Sequence, residues 1–267
     1  MTKNLEYKGR FSEYTDELLR LRHHFHQYPE LALQEKETSS FIQSYMEKLG
    51  YVLAPVPPTG WIAELPKLKD KERCIVLRAE MDALPIEEKT GLPYASKNVG
   101  CMHACGHDAI LASALVLARI IAEEKDTFPV SVRFLFEPAE EIGEGAARMI
   151  EAGALDGVDA FLMFHYAGDE LFGMTVHEGQ ASSMIGGMEI HIHGKSSHWC
   201  EAEQGIEAIY GASVAAKAIY ELNREYKGSG KSLIGIGSIH GGEYANIIAD
   251  HVVMKGNIRA CLSLIHI

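Results

Sequence analysis

The chain has 267 residues, 47% of them hydrophobic, enough for one large domain or two of ordinary size with a proper core. Its 25 Lys and Arg against 37 Asp and Glu give a net charge of −12, which argues against nucleic acid or an anionic membrane as a partner. Met1 to Arg10 lacks the apolar core of a secretory signal and no apolar run is long enough to span a bilayer, so a soluble, cytoplasmic protein is expected.

In chain order, Leu18, Leu19 and Leu21 among charges predict a helix from Phe11 to His26, stopped by Tyr28-Pro29. A second helix is expected from about Gln34 to Leu49, with Gly50 as its left-handed stop. Two short strands follow, Tyr51 to Val56 and Trp61 to Leu65. Cys74 to Ala79 reads as a buried strand, with Glu80 and Asp82 just past it and Cys74 as a core thiol. A helix through Ala122, apolar nearly all round and capped by Asp108, should be buried. The strand Val130 to Phe136 runs into Glu140 and Glu141, a helix spans Gly145 to Ala152, and a strand from Ala160 to Phe164 ends at His165. Three buried strands that alternate with helices predict an α/β fold with a largely parallel sheet. In such sheets the ligand crevice lies beyond the carboxyl ends of the strands, where the acids and His165 sit.

Beyond Gly173 the order becomes strand, helix, strand, strand: Met188 to Ile192, Gly205 to about Leu222, Leu233 to Ile239, and His251 to Arg259. Met188, Ile190 and Ile192 alternate with Glu189, His191 and His193, so the two histidines are read as facing solvent rather than as ligands. This pattern predicts a small two-layer α+β domain of about ninety residues, expected to be cut off before it closes. The expected division is 1–178 for a catalytic domain, 179–260 for the second domain and 261–267 for a tail foreign to the preceding pattern.

Chemistry concentrates in G-C-M-H-A-C-G-H-D, Gly100 to Asp108, where Cys101, His103, Cys105 and His107 stand at alternate positions. On an extended backbone all four would turn to one side, and thiolate with imidazole suits zinc. Five cysteines, odd in number and scattered, form no disulfide framework and fit thiols held reduced. Together with the strand-end acids they suggest metal-assisted hydrolysis, one of the adjacent Glu140 and Glu141 ligating and the other moving protons. A rival reading makes Cys105 a nucleophile with a histidine as base.

The strings H-Q-Y-P-E-L (His26 to Leu31), R-A-E-M-D-A-L-P (Arg78 to Pro85), M-H-A-C-G-H-D (Met102 to Asp108), F-E-P-A-E-E (Phe136 to Glu141), His165, G-K-S-S-H (Gly194 to His198) and Asn246 to Arg259 cover nearly the whole chain. In this order they resemble the metal-dependent aminoacylase family that includes hippurate and indoleacetyl-amino-acid hydrolases, within the dimetal metallopeptidases. The resemblance implies a zinc-peptidase-like catalytic domain with an inserted ferredoxin-like lid and dimerisation domain, incomplete here. It implies a metal-dependent amidohydrolase that cleaves N-acyl or N-aroyl amino acids. Two divalent ions (Zn, Mn, Co or Ni) would be held by Cys105, His107, Glu141 and His165, leaving Cys101 and His103 outside. Glu140 would be general base and acid, and Asp82 would orient a ligand or support the loop. His198 would reach the active site of a homodimer mate to stabilise the oxyanion, and Asn246 and Arg259 would hold the substrate carboxylate.

Four departures stand out: Glu80 where Asp is commoner, Ile110 where His often follows the cluster, Glu137 where Gln is usual, and Trp199-Cys200 where small residues follow His198. A larger one is the end of the chain. Members of the family continue for roughly a further hundred residues and supply another ligand histidine. The tail L-S-L-I-H-I therefore reads as an artefactual truncation, and the chain itself is expected to be an inactive metal-binding fragment if that segment is required.

Overall fold

The computed structural model describes residues 12–69, 71–166, 173, 184–225 and 232–260. The chain divides into two compact units, Met1–Glu170 and Leu171–Ile267. The tail 261–267 lies outside the described residues.

In the first unit, a short 3-10 turn at Ser12–Tyr14 leads into α1 (Thr15–Gln27), followed by α2 (Lys36–Lys48), β1 (Val52–Val56), β2 (Gly60–Glu64), β3 (Cys74–Glu80), α3 (His107–Glu123), β4 (Ser131–Glu137), α4 (Gly145–Glu151) and β5 (Ala160–Leu162). Tyr28-Pro29 and Gly50, whose φ is +88°, stop α1 and α2 where the sequence places the breaks. The five strands form one sheet in the order β1-β2-β4-β3-β5. β3 runs parallel to β4 and β5, while β1 with β2 and β2 with β4 are antiparallel, so the sheet is mixed.

Strand alternation sorts the core onto two faces. Leu77, Phe134 and Phe136 join Phe25, Ile42 and Leu115 under the three long helices, and Val76, Leu135 and Ile62 join Met149 of α4 on the other side. Each fully buried Leu, Ile or Phe adds about 1.5–3 kcal/mol. Helix α3 is the central one: Ile110, Leu111, Leu115, Val116 and Ile121 are all buried, as its all-round apolar sequence requires.

Two expectations fail. β5 is exposed along its length and stops at Leu162, short of His165, because it pairs with β3 alone and nothing described covers its outer edge. Asp108 does not cap α3; Gly106 takes the N-cap with φ +93°, and Asp108 is buried in the first turn.

The second unit contains β6 (Met184–His193), α5 (Ala208–Glu225), β7 (Leu233–Gly241) and β8 (His251–Ala260). The sheet order is β6-β8-β7, every pairing antiparallel. The last strand therefore lies between the first two, which is the arrangement of a split βαβ unit. Ala208 and Ala212 of α5 pack on Val252 and Met254 and on Ile190 and Ile192.

Candidate metal centre

The loop that carries the Cys and His cluster is not extended. Gly100 and Gly106 take φ of +71° and +93°, and Met102 forms an isolated antiparallel bridge to Leu84. The alternation that would have turned four ligands to one side is therefore broken. Cys101 donates its thiol proton to the Pro29 carbonyl, 3.4 Å away. His103 is buried with neither ring nitrogen partnered among the described residues, and burial pushes its pKa down to about 4.

Cys105 and His107 instead meet His165 and the glutamate pair. His107 opens α3 and donates from Nδ1 to the Asp82 carbonyl at 2.8 Å, since a carbonyl can only accept. Its Nε2 is left as a buried lone pair with no hydrogen-bond partner among the described residues. His165 donates from Nδ1 to the Tyr166 carbonyl at 2.8 Å, and its Nε2 lies 3.3 Å from Cys105 Sγ. Both imidazoles are thus held by their outer nitrogen and present the inner one, the usual posture of ligating histidine. Glu141 Oε1 is also buried, with no partner among the described residues. One ligand atom each from Cys105, His107 and His165 falls within 4.8 Å of the others, and so does a set from His107, Glu140 and Glu141. His107 belongs to both sets. Buried lone pairs without donors are costly unless a cation satisfies them, and a sulfur, nitrogen and carboxylate set fits zinc and its neighbours.

The turn that presents the glutamates is pinned by three consecutive amides. Ala139 N–H donates to Glu35 Oε1 (2.9 Å), Glu140 N–H to Asp82 Oδ1 (3.1 Å) and Glu141 N–H to Asp82 Oδ2 (3.0 Å). Ala139 itself holds a positive φ of 56°, a conformation that a non-glycine residue adopts only under such constraint. Glu35 is fully buried and also accepts from Thr59 Oγ1 at 2.7 Å. Nothing in the sequence singles it out, because an acid at the start of a helix is ordinarily exposed.

Behind the glutamates lies Arg78, likewise unforeseen. From the buried strand β3 it donates to Glu80 (2.7 Å) and to Glu137, and its Nη2 lies 3.9 Å from Glu140 Oε1. Glu80 and Glu137 are register partners on β3 and β4, which puts both carboxylates within reach of one guanidinium. A signal was present: an Arg two residues before a Glu inside an apolar strand shares its face. Burial holds Glu80 above the usual carboxylate range even so. Burial, followed by the Glu141, Glu140 and Glu80 carboxylates, pushes the Cys105 thiol up to about 12. A thiolate nucleophile is the opposite case, with a depressed pKa.

Under the cluster, His26 Nδ1 lies 2.8 Å from Asp108 Oδ2 and Arg22 Nε lies 3.4 Å from the same oxygen. The Asp108 bond raises the His26 pKa against burial. A His raised in the fold stabilises fully below its unfolded value near 6.5, and that share is lost as pH rises through the folded value. Urea unfolding is therefore expected to show a stability contribution that is complete below about pH 6.5, declines as the pH rises above it, and is absent in His26→Gln.

In the second unit His198 accepts from Cys200 N–H at Nδ1 (3.2 Å), and its Nε2 is 3.4 Å from Asn246 Nδ2. The two come together through an isolated bridge of His198 to Ile247. Arg259 projects from the exposed face of β8.

The chain matches the model of peptidase family M20/M25/M40 over residues 76–258. It is 39% identical over 246 residues to an N-acetyl-L-cysteine deacetylase of Bacillus subtilis, covering 91% of this chain and 59% of that protein. To thermostable carboxypeptidase 1 of Saccharolobus solfataricus it is 35% identical over 259 residues, covering 95% and 66%. Among solved structures, the Bacillus subtilis protein YXEP, described as a dinuclear metal binding peptidase from the M20 family, superposes with a TM-score of 0.74 at 34% identity, covering 96% of this chain and 67% of that one. The chain spans 59% to 64% of the length of the first three curated relatives it matches.

Proposed function

The chain belongs to peptidase family M20/M25/M40, and from that premise we propose that its protein is a metal-dependent amidohydrolase acting on N-acyl or N-aroyl amino acids. The observation that carries the reading is the pair of ligand sets that share His107, one with Cys105 and His165 and one with Glu140 and Glu141, in which the inner atoms of His107 and Glu141 have no partner among the described residues. The resemblance to an N-acetyl-L-cysteine deacetylase and to a dinuclear metal binding peptidase supports the reaction class and a two-cation site. Zinc, manganese, cobalt and nickel all suit the donors.

Cys105, His107, Glu141 and His165 would hold the cations, which when bound polarise the scissile carbonyl and ease deprotonation of water. Glu140, half-buried at the mouth of the turn, takes a proton from the attacking water and passes it to the departing nitrogen. One water is consumed, the C–N bond breaks, and a carboxylic acid and an amino acid leave. Asp82 acts through others: its carboxylate fixes the amides of both glutamates and its carbonyl fixes the His107 tautomer. By the family resemblance, Asn246 and Arg259 of the second unit would hold the substrate carboxylate, and in a homodimer His198 would serve the oxyanion.

Metal-stripped protein should be inactive towards a panel of N-acetyl, N-benzoyl and indoleacetyl amino acids and regain turnover with zinc, manganese, cobalt or nickel. Turnover that survives chelation and is abolished by alkylation of Cys105 would overturn this in favour of the thiol mechanism. Metal uptake without turnover of any panel member supports a second reading, a metal-binding unit that is not itself a hydrolase. The chain's coverage of about three fifths of its relatives favours testing for it.

A further inference from the structure

The second unit carries a group of imidazoles that the proposed hydrolysis does not use. His191 and His193 stand two apart on β6 and so share a face, and His251, the first residue of β8, is the antiparallel partner of His193. The opposite face is the one that α5 covers, through Ile190, Ile192, Val252 and Met254. All three histidines are exposed, as the alternation on β6 predicts for two of them. Only the strand register adds the third.

The atoms are close enough to act together. His191 Nδ1 lies 3.1 Å from His251 Nε2, and one nitrogen from each of the three rings falls within 4.8 Å of the other two. The rings stack nearly parallel, His193 on His251 with centroids 4.8 Å apart and His191 on His251 at 5.3 Å. His191 Nε2 lies 2.9 Å from Glu189 Oε1, and Lys255 Nζ lies 3.5 Å from Glu189 Oε2. A proton donated from Nε2 to that carboxylate leaves the Nδ1 lone pair of His191 facing His251, the tautomer a metal ligand needs. Two imidazole nitrogens each about 2.0–2.1 Å from one cation stand roughly 3.0–3.4 Å apart, and the observed separation falls in that interval.

We infer that His191, His193 and His251 form a second metal site, for a divalent late first-row cation of the zinc, nickel and copper class, with Glu189 orienting His191. Three neutral imidazoles without thiolate or ligating carboxylate favour these ions over calcium or magnesium, which take oxygen ligands. A cation there ties β6 to β8 from the uncovered face, and its remaining positions are open to water. The assignment is independent of the hydrolytic reading, since none of its residues belongs to that site.

The test counts zinc bound to the whole chain after dialysis at a fixed free concentration, with circular dichroism to verify the fold. His251→Gln should bind one equivalent fewer than the wild type, and Glu189→Gln should weaken that equivalent by about tenfold or more. Cys105→Ser with His107→Gln should keep it. In addition, nickel should broaden the ring proton resonances of His191, His193 and His251 in the wild type. Equal zinc counts for wild type, His251→Gln and His193→Gln, with no selective broadening of these rings, would overturn the inference. The two variants remove opposite members of one cross-strand pair, so misfolding of either leaves the other to decide.

Discussion

Replacing Glu140 by Gln is expected to lower turnover of N-acyl amino acids by about a hundred- to ten-thousand-fold, the usual contribution of a positioned general base. The substitution keeps shape and hydrogen bonding but removes the group that accepts the proton. Its backbone amide would still donate to Asp82, so the turn should hold and Glu141 should stay in place. Metal content and unfolding midpoint are accordingly expected to match the wild type, with the loss falling on kcat rather than on KM. Glu140 Oε2 lies 3.8 Å from His107 Nε2, close enough that a ligand role is the competing explanation. Metal analysis separates the two: a variant that loses activity together with one metal equivalent would make Glu140 a ligand and remove it as the base.

The largest effect on stability is expected at Arg78. Its side chain and those of Glu80 and Glu137 are almost wholly withdrawn from solvent, and the guanidinium is the cation that both carboxylates share. Arg78→Met leaves them buried without it, and breaking a buried ion pair from one side costs about 3–5 kcal/mol. Urea unfolding at neutral pH should show this loss directly. Glu80 is already held above the ordinary carboxylate range by burial, and loss of Arg78 raises it further. A carboxyl raised in the fold favours the folded state at low pH and loses that share as pH climbs through its folded value. The deficit of Arg78→Met should therefore shrink as the solution is acidified from neutrality. Adding Glu80→Gln should make the pair of changes cost less than their sum, because the second removes the charge that the first stranded. A deficit under about 1 kcal/mol, unchanged by pH, would mean that water or another donor replaces the guanidinium.

The parallel register of β3 and β4 sets Glu80 and Glu137 side by side on the same arginine, although they stand 57 positions apart in the sequence.

Much of the architecture was legible because local rules govern it. Periodicity separated helices from strands, Tyr28-Pro29 and Gly50 marked the stops, and the all-round apolar character of α3 required its burial. The residue types also set the chemistry: thiol, imidazole and paired carboxylates at strand ends already indicated a metal site. The errors arose where backbone conformation replaced simple alternation. Gly100 and Gly106 turn the loop, so Cys101 faces Pro29 while Cys105 meets His165, and a glycine rather than Asp108 takes the head of α3.

What the sequence determined by itself is which elements form, which side chains each offers, and what chemistry those groups can perform. The tertiary structure alone decided the inner nitrogen each histidine presents, the three amides held by Glu35 and Asp82, and the pairing of His193 with His251. The reason is physical. Side-chain direction within an element follows from its own repeat, whereas a partner across the fold is set by strand register and by the few loop residues in left-handed conformations, neither of which a local repeat encodes.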